Sequence, residues 1–233
     1  QFEQLKSRYS VLVYDLLGHG QSQLPPDNPT VEDYTRQLLD LLIDLNLQRV
    51  HLVGHSMGAL VATGFALDYP QHSASLTALN MVYERSSEQR QQVLDRAQQV
   101  LDSGQIIGID AALGRWFPTQ NISADKNPAI DRIRHWLGSV NPQGYGRSYR
   151  LFAESDQLFS HRLQHLKLPA QFITADGDPN STPAMSMALA RACPNAIAEI
   201  ITDEAHMMAY RSPHRITPLI EQFIQHAQQQ PFQ

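Results

Sequence analysis

One cysteine, Cys193, stands among 233 residues, so no intramolecular disulfide can form and nothing signals an oxidising compartment. A lone cysteine reads first as a small apolar core residue, and the expected location is cytoplasmic. Basic residues are also scarce. The 18 Lys and Arg against 23 Asp and Glu leave a net charge of -5, which gives no reason to expect nucleic acid as a partner, because phosphate contacts demand clustered cations. Long apolar runs are missing too: residues 38–45 are interrupted by Asp40 and Asp44, far short of the roughly 20 residues that span a bilayer. The ten histidines lack HExxH spacing, so neither a metal nor another cofactor is expected. What remains is a chain 42% hydrophobic, long enough for one buried core. Its expected partner is a small molecule rather than a membrane or nucleic acid, and its expected assembly a monomer or homodimer.

The apolar pattern alternates between two periods. Residues 9–15, "YSVLVYD", read as a buried strand before the turn "LGHGQSQLPPDNP". Thr30 then precedes "VEDYTRQLLDLLIDLNL", where Val31, Tyr34, Leu38, Leu41, Leu42 and Leu45 recur at helical spacing, an amphipathic helix with an N-cap. "RVHLVGH" (49–55) and "SLTALNMV" (75–82) read as strands on either side of the small-residue helix "MGALVATGFALDYP". Between residues 83 and 166 only helical patterns appear, which predicts an all-helical insertion. Strands resume at 170–176 and 196–202, with "TPAMSMALARAC" between them and "RITPLIEQFIQHA" closing the fold. Strands alternating with helices predict an α/β fold with a mostly parallel sheet flanked by helices. The division expected is a core part over 1–82, a helical cap over 83–166 and a second core part over 167–233.

Gly54-His55-Ser56-Met57-Gly58 matches G-x-S-x-G and falls between a predicted strand and a predicted helix, where that motif carries meaning. A sharp strand-to-helix turn strains the central residue and requires small neighbours, here Gly54 and Gly58. It also places Ser56 at a helix N-terminus, where free amides favour developing negative charge. Serine is a weak nucleophile without a base and an orienting acid. The loop "ADGDPNSTP" offers Asp176 and Asp178, and "ITDEAHMMAY" offers His206, each after a late strand. Asp178 is favoured because it lies farther into its loop beside Pro179. His55, His72 and His214 are poorer bases, since none follows a late strand.

Together "DLLGHGQS", "GHSMGA", "ADGDPNSTP" and "AHMM" resemble the α/β-hydrolase superfamily across nearly the whole chain. The cap segments "RWF" and "NPQGYGRSYRLFAESD" are similar to 3-oxoadipate enol-lactonases and their esterase-like relatives. The resemblance implies a catalytic triad of Ser56, Asp178 and His206, with the Met57 backbone amide as one oxyanion donor. Ala59 and Ala205 stand where the family usually has glycine. "QFEQLKSRYSVLVYD" aligns with the helix before the family's fourth strand, so its first three strands, and the loop that carries the second oxyanion amide, are expected upstream of Gln1.

The reaction implied is hydrolysis of a small ester or lactone through an acyl-enzyme. Cleavage of a carbon-carbon bond in ring-fission products, or a receptor-like role with vestigial turnover, are the alternatives. Trp116, Phe117, Trp136 and Tyr145 are the aromatic candidates for lining a pocket under the cap, and Arg115, Arg147 and Arg150 the candidates for pairing with a substrate carboxylate.

Overall fold

The computed structural model describes residues 1–117 and 128–229. A short helix α1 (Phe2–Leu5) is followed, after a stretch without regular structure, by α2 (Val31–Asp44). Asp33 accepts the Thr30 backbone N–H at 2.7 Å and so satisfies a donor at the start of α2. The core then alternates: β1 (Val50–His55), α3 (Met57–Asp68), β2 (Ser73–Leu79), β3 (Ala170–Ala175) and β4 (Ala196–Ile201). Among the described residues, four α-helices lie between β2 and β3: α4 (Ser87–Ser103), α5 (Ile109–Trp116), α6 (Pro128–Ser139) and α7 (Pro142–Glu154). α8 (Pro183–Ala192) joins β3 to β4, and α9 (Met208–Arg211) and α10 (Pro213–Gln229) follow β4.

The strands form one sheet in the order β1-β2-β3-β4, and every pairing is parallel. Side chains on a strand point alternately to opposite faces, and the two faces are buried by different helices. Leu76, Ala78, Ala170 and Phe172 pack with Tyr34, Leu38, Leu60, Phe65 and Leu189 from α2, α3 and α8. Leu79, Ile173, Ala175 and Ile201 pack instead with Leu5, Met208, Ile216, Ile220 and Ile224 from α1, α9 and α10. Gly64 on α3 sits against α2: a Cβ there would lie 2.6 Å from Val31 Cγ1. Cys193 is buried at the first face, as a small apolar residue would be, and burial pushes its thiol up to about 12.

Residues 9–15 are not a strand. A strand exists through the ladder it shares with a neighbour, and this segment has none among the described residues; Val13 is 73% exposed, and β1, with Val53 43% exposed, pairs on one side only. The other four predicted strands form within one to three residues of their expected ends. Between residues 83 and 166 the described residues hold helices and turns and no strand, and residues 118–127 of that segment lie outside them. α4 and α7 pack side by side, and Arg96 Nε on α4 donates to the Tyr149 hydroxyl on α7 at 3.1 Å. α5 and α6 form a small cluster of their own around Leu113, Phe117 and Ile133, with Met207 and Tyr210 against it. No helix among the described residues is long and apolar enough to cross a membrane.

Candidate active site

In a parallel sheet all strands end on one side, and loops from successive strand ends meet there. β1 ends at His55, and Ser56 follows with φ 54° and ψ -113°, a conformation that costs a non-glycine residue energy and persists only where its surroundings enforce it. Two contacts do so. The Ser56 N–H donates to Leu79 O of β2 at 2.9 Å, and the Ser56 carbonyl accepts from Ala59 N at 3.0 Å and Leu60 N at 3.2 Å, opening α3. The sequence expectation that both flanking glycines are sterically required is corrected by half. A Cβ on Gly54 would lie 2.1 Å from Gly58 O, whereas a Cβ on Gly58 would meet nothing within 4 Å. Met57 is the first residue of α3, so its N–H has no acceptor within the helix.

Of the two aspartates after β3, the structure brings Asp178 to His206. Asp176 is exposed and uses its backbone N–H to join Ile201 O of β4 at 3.0 Å. Asp178 is 2% exposed, and its Oδ2 accepts from His206 Nδ1 at 2.8 Å, from Asn80 Nδ2 at 2.8 Å and from Ser181 Oγ at 2.5 Å. Its Oδ1 accepts from the N–H groups of Asn180 at 2.8 Å and Ser181 at 3.3 Å. Burial alone raises this carboxyl, but the hydrogen bond and charge of His206, then Ser181 and Asn180, outweigh it and hold the pKa down at about 2. Asp178 is therefore a carboxylate throughout the ordinary pH range. A carboxylate can only accept, so His206 carries its proton on Nδ1, and its Nε2 is left as the basic nitrogen.

His206, 4% exposed, is gripped from two other directions. His55 Nε2 donates to the His206 carbonyl at 2.8 Å, and the two imidazole centroids are 5.0 Å apart. Trp116, from cap helix α5, stacks on the His206 ring at 5.9 Å and 28°. Because His55 and Ser56 are consecutive, the His55 bond joins the His206 main chain to the residue that precedes the serine.

The remaining predicted pocket residues separate into four groups. Trp116 reaches the site. Tyr145 on α7 lies over the loop that carries His19, with ring centroids 6.5 Å apart, and against Tyr149 at 5.5 Å; burial pushes its phenol up, and the Arg115 and Arg96 guanidinium groups act on it electrostatically in the opposite direction. Arg115 Nε is itself buried with no hydrogen-bond partner among the described residues. Trp136, Arg147 and Arg150 are engaged elsewhere. Trp136 is 52% exposed and meets Tyr210 edge-on at 5.9 Å. Arg147 donates to Pro25 O at 2.6 Å and pairs with Asp27 at 2.5 Å, while Arg150 holds Asn28 Oδ1 at 2.7 Å. Both arginines thus clip α7 to the loop before α2, because the backbone and side chain of residues 25–28 present acceptors within their reach. Phe117, 3% exposed, is core of the α5–α6 cluster.

Sequence reasoning missed Asn80, Ser181 and Arg96. The neighbouring Asn180 contact was available from the pattern Asp-Pro-Asn, since an aspartate commonly accepts from the N–H two residues on, and Ser181 is the next residue of the same turn. Asn80 gave no local signal: it sits at φ 51° after β2, is fully buried, and meets Asp178 across 98 positions of sequence.

Compared with known proteins, residues 2–218 match the model of the "Alpha/beta hydrolase family". The chain is 32% identical over 225 residues to an (E)-2-((N-methylformamido)methylene)succinate hydrolase of Acinetobacter baylyi, covering 97% of this chain and 84% of that one. It is 27% identical to 3-oxoadipate enol-lactonase 1 of the same organism, covering 98% and 83%. Among solved structures it resembles a thermophilic esterase from Thermogutta terrifontis, determined with malate bound, at TM-score 0.86 and 26% identity over 97% of this chain and 83% of that one.

Proposed function

The chain belongs to the alpha/beta hydrolase family, and on that premise we propose that it hydrolyses an ester or lactone of a small, carboxylate-bearing molecule through an acyl-enzyme on Ser56. The observation that carries this reading is the buried Asp178–His206 hydrogen bond, 2.8 Å long, tied through His55 to the strand end that carries Ser56 at φ 54°. Ser56 Oγ attacks the carbonyl carbon while its proton passes to His206 Nε2, and Asp178 stabilises the imidazolium that forms. The oxyanion is met by the Met57 N–H at the start of α3. When the tetrahedral species collapses, the leaving oxygen takes the proton from His206. Water then repeats the cycle on the acyl-enzyme, with His206 again as base.

The substrate class rests on the cap. Arg115, next to the tryptophan that roofs His206, keeps a buried Nε without an acceptor, and Arg96 is satisfied at Nε by a phenol rather than a carboxylate. Two cations without a described carboxylate partner suit an anionic ligand. The names of two relatives, a substituted succinate hydrolase and an oxoadipate lactonase, and the malate in the esterase agree with that chemistry. The first of those names also favours a second reading, hydrolysis of a bond other than an ester, because its substrate carries a formamido group.

A panel of p-nitrophenyl acetate, a carboxylate-bearing enol-lactone, an amidomethylene succinate and a ring-fission diketone tests the proposal. Ester or lactone turnover that falls by about 10³-fold or more in Ser56→Ala is the expected result. Full activity in that variant contradicts it, and turnover confined to the amide or the diketone moves the assignment to the corresponding bond.

A further inference from the structure

Ser56 follows β1 and His206 follows β4, at opposite ends of the sheet order. Three strand spacings of about 4.8 Å separate those strands, so the loop after β4 must reach back across two strand ends before an imidazole can serve the serine. The structure contains a hydrogen-bonded link at each crossing. Gly177 N donates to Glu204 O at 3.1 Å, joining the β4 loop to the β3 loop. Asn80 Nδ2 donates to Asp178 at 2.8 Å, joining the β3 loop to the end of β2. The last crossing, to β1, is closed by His55 Nε2 on the His206 carbonyl at 2.8 Å.

We infer that His55 is a positioning residue: its imidazole ties the main chain of His206 to the end of β1 and thereby sets the distance between the base and the nucleophile that follows His55 in the chain. This rests on the reading above only in taking Ser56 as nucleophile and His206 as its base. The chemistry of the ring suits the task. Its partner is a carbonyl, so Nε2 must carry the proton and act as donor. The ionisable groups that face it are His206 and Asp178; burial first, and then His206, push its pKa down to about 4, against the weaker upward pull of the His206 carbonyl and of Asp178. His55 therefore stays neutral while His206 gains and loses a proton 5.0 Å away. A second imidazolium at that distance would oppose the charge His206 must take up, so a neutral clamp preserves the basicity of its neighbour. His206 then has its ring fixed by Asp178 at Nδ1 and its backbone fixed by His55, which leaves Nε2 directed at one place.

The test is the rate at which a fluorophosphonate captures Ser56, a single displacement of fluoride that needs His206 as base but no knowledge of the natural substrate. His55→Leu, which removes the donor, is expected to slow capture and the kcat for p-nitrophenyl acetate by about a hundredfold, with KM changed less than about threefold, the signature of an ångström-scale misplacement. His55→Gln, whose amide nitrogen can reach the same carbonyl, is expected to recover to within about fivefold of wild type. Capture by His55→Leu at the wild-type rate overturns the inference, as does equal impairment of the leucine and glutamine variants. Nitrogen NMR of the unaltered protein gives a second reading independent of any variant's folding: His55 should hold its proton on Nε2 and remain neutral from pH 8 down to pH 5, and an Nδ1–H tautomer would overturn the clamp. Failure of wild type to capture the probe would instead remove Ser56 as nucleophile and the proposed reaction with it.

Discussion

Asp178 accepts five hydrogen bonds from Asn80, Asn180, Ser181 and His206, whereas Arg115, on the cap side, buries an Nε that no described group accepts from. The contrast separates two tasks. A carboxylate whose lone pairs are all occupied has nothing to offer a ligand, and it cannot rotate away from His206 without breaking several bonds at once. A buried guanidinium nitrogen left unpaired costs stability, a cost that the proposed anionic substrate would offset. The strand ends thus hold geometry through satisfied hydrogen bonds, and under the proposed function the unpaired Arg115 on α5 is the group left for a ligand.

That comparison can be broken from either side. The largest effect is expected at the acid: Asp178→Asn should lower kcat by about 10³- to 10⁴-fold at unchanged fold, because a carboxamide can donate to Nδ1 and fix the wrong tautomer of His206. Circular dichroism and steady-state kinetics measured together would check it, and a loss below tenfold would mean that Asp178 does not set the tautomer. An intermediate effect is expected in the cap. Arg115→Met should raise KM by about 10- to 100-fold for carboxylate-bearing substrates, the equivalent of one charged hydrogen bond, and leave neutral esters alone. Equal losses on both substrate classes would return Arg115 to an architectural role. The smallest is expected at Arg147→Ala, since its partner Asp27 is 84% exposed and such pairs contribute at most about 1 kcal/mol. Thermal denaturation and KM for the same substrates would read it, and a KM effect matching that of Arg115→Met would place Arg147 in the pocket after all.

The legibility of the sequence follows the same line. The Asp178–His206 pair and the strained turn at Ser56 could be anticipated because each is announced locally, by a strand of short apolar period ending in a loop with glycine or aspartate. Four strands and the helical insertion were likewise visible as changes of period. Residues 9–15 have the composition of a strand and do not form one, since composition is local and a ladder requires a neighbour. Asn80 and the His55–His206 link were invisible for the same reason: they are contacts across 98 and 151 positions. In the cap, aromatic and arginine residues at helical spacing carried no sign of direction. Trp116 turned toward His206 and Trp136 toward Tyr210 and solvent, while Arg147 and Arg150 were drawn to backbone acceptors that no periodicity reveals.

The proposed reaction stands or falls on acylation of Ser56 with His206 as its base. Intact-mass spectrometry after rapid quench of a reaction with p-nitrophenyl acetate tests it most directly. The account predicts a transient acetyl adduct that peptide mapping places on Ser56 and that accumulates neither in Ser56→Ala nor in His206→Gln. Turnover with no adduct, or an adduct on another residue, would contradict it.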